Sequence, residues 1–137
     1  MLTLNLVTPE KKIETHLEVE TVSLPGFKGE LNILEKHAPL ITTLDTGVLK
    51  YRPKGSPEKV VAVSWGYCEV FGNSVNILAE TAETPEEIDF DRAKGTLADA
   101  NEKLAKGDFS KGPFEKWVGK SKRAQVRLQV FDKKKLS

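Results

Sequence analysis

Glu30 and His37 are the residues whose types best suit chemistry, because a carboxylate and an imidazole stand near each other within residues 24–40. Such a pair can transfer protons, but catalysis also needs a nucleophile and a group that orients the base. No such set falls at a recognisable spacing, so a small hydrolase is not supported. Pro25-Gly26 is typical of a type II turn, and Pro39 favours extended backbone before it. Between them, Leu31, Ile33 and Leu34 are expected to enter the core. Rigid loops often carry binding residues, so this stretch is interpreted as a docking surface.

A second group of residues could bind anions near the end of the chain. Its basic side chains repeat at helical spacing: Lys116, Lys120, Arg123 and Arg127. Residues 1–110 contain 12 basic and 18 acidic residues, whereas residues 111–137 contain nine basic and two acidic ones. We expect this last segment to bind an acidic partner. The alternative is a solvated basic face, because exposed charges usually contribute little.

Several kinds of site are excluded by spacing. Gly119-Lys120-Ser121 is not a P-loop, because that motif requires glycine where Phe114 stands, and it follows a strand. His16 and His37 are the only histidines and lie far apart, so no metal site is expected. The single cysteine, Cys68, allows no internal disulfide and is expected to be a small core residue.

The sequence contains no apolar run long enough to span a bilayer, and its start lacks the features of a signal peptide. We therefore expect the protein to stay on the cytoplasmic side.

Short strands with turns between them dominate residues 1–83. Leu2, Leu4 and Leu6 alternate with polar residues, which predicts a half-buried strand. The apolar parity changes near Glu20-Thr21, which predicts a β-bulge or a change of sheet. Further apolar runs follow up to residue 79 and are separated by glycine-containing turns, one of them at Trp65-Gly66 between two predicted strands. This pattern indicates an antiparallel β-sandwich.

Residues 84–137 show helical periodicity instead. Thr84-Pro85 with Glu87 forms a capping box, so a helix is predicted to begin there and to end at Gly107. Gly112-Pro113 opens a second helix, which is predicted to carry an apolar stripe. The residues of this stripe are Phe114, Trp117, Val118, Ser121, Ala124, Leu128 and Phe131. Two amphipathic helices with a short connection form an antiparallel hairpin. The predicted fold class is therefore α+β: an N-terminal antiparallel β-sandwich (1–83) followed by a C-terminal two-helix antiparallel hairpin (84–137).

Three spaced motifs and the chain length together resemble the epsilon subunit of bacterial F-type ATP synthases. The motifs are residues 24–40, Val7-Thr8-Pro9-Glu10 and Ile88-Asp89-Phe90-Asp91-Arg92-Ala93. The chain departs from the family at Asn32, where glycine is usual, and at Glu35-Lys36, where Pro-Gly is usual. The resemblance implies a non-catalytic rotor subunit of the central stalk, which couples the catalytic head to the ring of a proton- or sodium-driven synthase. It also implies that the C-terminal helices restrain ATP hydrolysis.

The resemblance assigns partners to particular residues. It implies that Glu30 lies near the c-subunit ring and His37 at the gamma stalk subunit, although His37 could equally stabilise its own loop. The basic helix would meet an acidic segment of the catalytic alpha/beta subunits. The residues that suit this contact are Lys120, Lys122, Arg123 and Arg127. The implied location is peripheral, on the cytoplasmic face of the bacterial inner membrane.

Some family members bind regulatory ATP, and the resemblance extends to that site. The matching residues are Ile88, Asp89, Arg92, Arg123 and Arg127. Asp89 would accept a base amino group, and the arginines would hold phosphates through paired donors. Asp99 argues against ATP, because ATP-binding members carry a basic residue there. The alternative is that Asp89 only stabilises the helix N-terminus and Arg92 pairs locally. No other cofactor and no metal is expected.

A nucleic-acid-binding β domain with a basic C-terminal tail is the other function left open. Nine basic residues after position 110 could neutralise phosphates. The β portion is acidic, however, and its strands lack interleaved aromatic and basic residues of the kind that stack bases.

Overall fold

A computed structural model of the chain describes residues 1–36 and 38–136, with side chains described as far as Lys133. His37 therefore lies outside the described residues. The chain divides into two compact units, Met1–Ala82 and Glu83–Ser137. The first unit is built from strands and the second from helices, so the predicted fold class is confirmed.

Seven strands form the first unit. They are β1 (Leu2–Val7), β2 (Lys12–Gly26), β3 (Gly29–Ile33), β4 (Leu40–Leu44), β5 (Gly47–Pro53), β6 (Lys59–Phe71) and β7 (Ser74–Glu83). All pairings with a described register are antiparallel except that of β1 with β7, which is parallel. β1 also pairs with β2, and β5 joins β2 to β6, so the sheet folds over its own core.

The core follows from the alternation of apolar residues along the strands. Leu2, Leu4 and Leu6 are completely buried on one side of β1. Cys68 is buried in the same cluster, and desolvation raises the pKa of its thiol to about 12. The interpretation of Cys68 as a small core residue is therefore confirmed, and its thiol is un-ionised near neutral pH.

Two long strands bend so that each can pair with two sets of neighbours. In β2, the register against β5 shifts between Val19 and Thr21, which confirms the bulge predicted near Glu20. In β6, the backbone of Trp65 (φ 52°) and Gly66 (φ 145°) is left-handed, yet pairing continues through the bend. The separate strands expected on either side of Trp65-Gly66 are therefore one continuous strand, which corrects the prediction.

The second unit contains a single turn of 3-10 helix (Pro85–Glu87), then α1 (Phe90–Lys106) and α2 (Phe114–Leu136). The predicted single helix from Thr84 is wrong, because Asp89 caps a new helix by accepting a hydrogen bond from the Arg92 N–H at 3.1 Å. The capping box of Thr84 and Glu87 is present, but it begins only the short turn. Gly107 ends α1 in a left-handed conformation, as predicted.

The two long helices run antiparallel. The ring of Phe90 at the start of α1 lies 4.9 Å from that of Phe131 near the end of α2. Their interface uses small residues, among which Ala93, Ala100 and Ala124 are buried. Ser121, also buried, donates a hydrogen bond of 3.0 Å to Asn101 across the interface. Phe114 and Val118 were expected in the apolar stripe but are exposed, because the stripe turns toward solvent near the connection.

Candidate functional site

Glu30 lies on β3, one residue after the tight turn between β2 and β3. Its carboxylate accepts a hydrogen bond from the Ser23 hydroxyl and lies 3.9 Å from the Lys50 ammonium, but its side chain remains more than half exposed. Phe27, at the tip of the same turn, is also exposed. Ser23, Glu30 and Lys50 border a groove of about 350 Å³. The predicted carboxylate is therefore both held in place and accessible to a partner.

The residues just before position 37 are held by contacts with other parts of the chain. The N-terminal ammonium pairs with Glu35 and holds the pKa of that carboxyl below its usual range. The Lys36 N–H donates to the Asn73 side chain at 2.9 Å. Leu34 was expected to enter the core, but it is exposed because the chain leaves the sheet after Ile33.

Strands β4 and β6 present apolar residues to solvent, a feature that sequence reasoning missed. Ile41 is 75% exposed, Phe71 69% and Tyr67 48%, and we call these three residues the outer apolar face. The register pairs Ile41 with Glu69 and Thr43 with Tyr67, so all of these side chains lie on one side of the sheet. Their parity is opposite to that of the buried residues Cys68 and Val70, which was the available signal.

The helical unit contains a charged cavity of about 340 Å³. Its lining residues are Glu83, Glu87, Asp89, Arg92, Ala93, Thr96, Lys120, Arg123 and Arg127. The folding of the helices thus brings together most of the residues assigned to the ATP site and to the basic face. Ile88 is buried outside this lining, and Lys122 is exposed outside it.

Both carboxylates and cations line this charged cavity. The Arg127 Nε donates to the Glu83 carboxylate at 2.6 Å, and both side chains are about 70% buried. Gly119 leaves room for Arg123, since a Cβ there would lie 3.0 Å from the guanidinium. A cavity with both charges suits a ligand that combines hydrogen-bond donors with anionic groups. Glu83 and Glu87 were not predicted as site residues.

Asp99, which argued against a phosphate ligand, does not line the charged cavity. Its carboxylate instead pairs with Lys103 one helical turn further along, at 3.2 Å. This pairing offsets its negative charge.

Replacing Glu83 with glutamine is expected to lower the melting temperature of the helical unit slightly, because the partly buried Arg127 loses its ion pair. The expected loss in the free energy of unfolding is about 1–2 kcal/mol, the usual contribution of a partly exposed hydrogen bond between charged groups. Thermal unfolding followed by circular dichroism measures this change. Glu80→Gln, at an exposed position on β7, is the control and should change stability by less than about 0.5 kcal/mol.

Comparison with known proteins agrees with this architecture. The family model of the ATP synthase delta/epsilon chain β-sandwich domain matches residues 1–85. The ATP synthase epsilon chain of Bdellovibrio bacteriovorus is 55% identical over 102 residues, covering 74% of this chain and 73% of that one. The ATP synthase epsilon chain of Geotalea uraniireducens is 39% identical over 132 residues, covering 96% and 94%.

A solved structure also shares the fold. A chain from the Euglena gracilis mitochondrial ATP synthase superposes with a TM-score of 0.70 at 21% identity, covering 98% of this chain and 79% of that one. The fold and the relatives define a stalk-type subunit with a β-sandwich followed by two helices. The chain belongs to the family of ATP synthase epsilon chains, subunits of the central stalk of F-type ATP synthases. The predicted family and the predicted place in the central stalk are confirmed.

Within the part of the chain that the structure describes, neither helix combines the length and apolar character that crossing a bilayer requires.

Proposed function

We propose that the β unit docks on the gamma stalk subunit and the c-subunit ring, that the helical unit restrains ATP hydrolysis, and that the chain itself is non-catalytic. The observation that carries the docking proposal is the outer apolar face, because Ile41, Tyr67 and Phe71 form an exposed apolar patch. Such patches mark interaction sites. The Euglena chain that shares the fold belongs to an assembly that includes F1 and the c-ring. The complex would place the chain peripherally on the cytoplasmic face of the bacterial inner membrane.

The outer apolar face suits the stalk, and the groove at Glu30 suits the ring. An apolar patch with one acidic neighbour, Glu69, fits a protein surface better than a nucleic acid, whose phosphates the carboxylate would repel. Glu30 offers an exposed carboxylate, and Phe27 in the turn before β3 offers an exposed aromatic ring, so this end of the β unit can meet loops of a membrane ring. His37 stays a predicted stalk contact that lies outside the described residues.

Replacing Ile41 and Phe71 together with aspartate is expected to weaken binding to the purified gamma subunit by at least about a hundredfold. Each change removes an apolar contact worth about 1.5–3 kcal/mol and buries a charge. Calorimetry with full-length proteins measures the affinity. Thr81→Asp, at an exposed position on β7, is the matched control and should bind normally. Unchanged affinity of the double variant would show that the stalk binds elsewhere.

The charged cavity supports the proposed restraint of hydrolysis. Lys120, Arg123 and Arg127 line the cavity with Glu83, Glu87 and Asp89, whereas Lys122 is exposed. An acidic segment of a catalytic subunit would compete with these internal carboxylates for the same cations. The small residues between the helices bury little apolar area per residue, so the compact hairpin can be opened by a partner of modest affinity.

Regulatory ATP is a second candidate function for the charged cavity. Arg92, Arg123 and Arg127 can hold phosphates, and Asp89 retains a second carboxylate oxygen for a base amino group while it caps α1. We expect calorimetry to detect ATP binding to the full chain and Arg92→Ala to weaken it at least about tenfold, the effect of removing one charge-assisted contact. Lys94→Ala, an exposed cation on α1, is the control. Absence of binding at millimolar ATP would contradict this function.

A further inference from the structure

Trp117 lies beneath three lysine side chains that come from both helices. The ammonium of Lys103 on α1 lies 5.7 Å from the centre of the indole ring. Those of Lys116 and Lys120 on α2 lie 5.1 Å and 5.3 Å from it. We call Trp117 and these lysines the lysine cluster. Because all three ammonium groups lie within 5.7 Å of the same ring centre, like charges are concentrated around one aromatic ring.

The lysine cluster is only partly neutralised. Lys103 pairs with Asp99, and Lys116 donates to the Lys111 carbonyl at 3.0 Å. Among the described residues, no carboxylate lies within ion-pair distance of the Lys116 or Lys120 ammonium. Attraction to the ring compensates a cation by only about 0.5–2 kcal/mol, and it does not remove the repulsion between neighbouring cations. The cluster therefore retains an excess of positive charge.

The indole N–H of Trp117 is a second, independent observation. Trp117 is 4% exposed, and its Nε1 is buried with no hydrogen-bond partner among the described residues. A buried donor without an acceptor typically costs about 1–3 kcal/mol. The lysines around the ring are flexible side chains, which can turn toward an anion. Trp117 thus carries a buried donor without an acceptor and is surrounded by an excess of positive charge.

We propose that the lysine cluster binds a polyvalent phosphate anion of the pyrophosphate or triphosphate class. Lysine binds phosphate as a mobile point charge, and several separated ammonium groups suit an anion with more than one phosphoryl group. The anion would accept hydrogen bonds from the ammonium groups of Lys103, Lys116 and Lys120 around the ring. Lys103 and Lys116 do not line the charged cavity, so this site differs from the candidate ATP site, with which it shares Lys120.

Binding at the lysine cluster would hold α1 to α2, because the contacting lysines come from both helices. By linkage, an anion that requires the closed hairpin also stabilises it. An effect on ATP hydrolysis would rest on the function proposed above, whereas anion binding itself does not.

Titration of the full chain with pyrophosphate tests the proposal. Trp65→Phe leaves Trp117 as the only tryptophan, so its fluorescence reports the site directly. At constant ionic strength we expect a saturable change, and Lys103→Gln with Lys116→Gln should weaken binding at least tenfold. The matched control, Lys94→Gln with Lys106→Gln, removes two cations of α1 outside the cluster and should bind normally. Circular dichroism checks that each variant is folded.

Two further experiments distinguish the site and identify the part of the ligand that is recognised. Arg92→Ala should leave pyrophosphate binding within twofold of the parent, because Arg92 lines only the charged cavity. Tripolyphosphate and ATP should compete for the cluster with similar affinity if only the phosphate chain is recognised. A response that chloride reproduces, equal affinity in the Lys103/Lys116 double variant, or loss of binding in Arg92→Ala alone would each overturn the proposal.

Discussion

Replacing Gly66 with alanine is expected to destabilise the β unit by at least about 3 kcal/mol, a large value for a single added methyl group. An alanine Cβ at this position would lie 2.0 Å from the Leu78 carbonyl oxygen and 2.8 Å from the Ala79 Cα. Both atoms belong to the backbone of β7, so no side-chain rotation can relieve the contact. The backbone φ of 145° adds strain that glycine alone avoids. Urea unfolding of the full chain measures the loss.

Gly72→Ala is the matched control for Gly66→Ala. Gly72 also has a positive φ, of 61°, but an added Cβ would meet no atom within 4 Å. Gly72→Ala should lower the free energy of unfolding by only about 1–2 kcal/mol, the strain of placing alanine in a left-handed backbone conformation. Equal losses in the two variants would mean that backbone conformation alone explains the requirement for glycine at the bend, and that the close approach of β7 contributes nothing.

Neutralising the basic residues of α2 is expected to raise the ATP hydrolysis rate of the assembled synthase roughly fivefold or more, because couplings of about 1–3 kcal/mol produce changes of that order. The variant replaces four residues with glutamine: Lys120, Lys122, Arg123 and Arg127. We expect the faster hydrolysis because an acidic partner would no longer be attracted by the cations of α2, while the apolar interface between α1 and α2 is unchanged. Hydrolysis by purified complexes at low ionic strength gives the rate.

The control for this variant removes four cations elsewhere in the chain. Its residues, also replaced with glutamine, are Lys11, Lys12, Lys54 and Lys94. Complexes with the control should hydrolyse ATP at the parental rate, and adding salt to the parent should mimic the α2 variant by screening the same attraction. Equal rates for parent and α2 variant would show that charge on this helix does not restrain hydrolysis.

The local features of the fold could be predicted because each depends on a few neighbouring residues. The alternation of Leu2, Leu4 and Leu6 places one side of β1 in the core. The bulge near Glu20 was visible as a change of apolar parity. Asp89 was recognised as a residue that stabilises a helix start, but its competition with Thr84 for the same role was missed, because both residues have good capping chemistry.

The charged cavity could be predicted only in part, because it depends on residues far apart in sequence. Resemblance supplied Arg92, Arg123 and Arg127, but Glu83 became a site residue only when helix packing placed it beside Arg127, 44 positions away. The outer apolar face required the register of β4 against β6, which the sequence pattern alone does not specify. The lysine cluster likewise depends on the packing of α1 against α2, which brings Lys103 to the ring of Trp117.

The central claim is that the β unit docks while the helical unit restrains hydrolysis, and removing the helices tests it most directly. A chain of residues 1–83 keeps the buried core of the β unit and lacks α1 and α2. The measurement is ATP hydrolysis by synthase assembled with this truncated chain, with its content in the purified complex determined in parallel. We predict normal incorporation together with a severalfold higher hydrolysis rate, since only the restraining unit is lost. Normal incorporation with an unchanged rate, or failure to incorporate, would contradict the account.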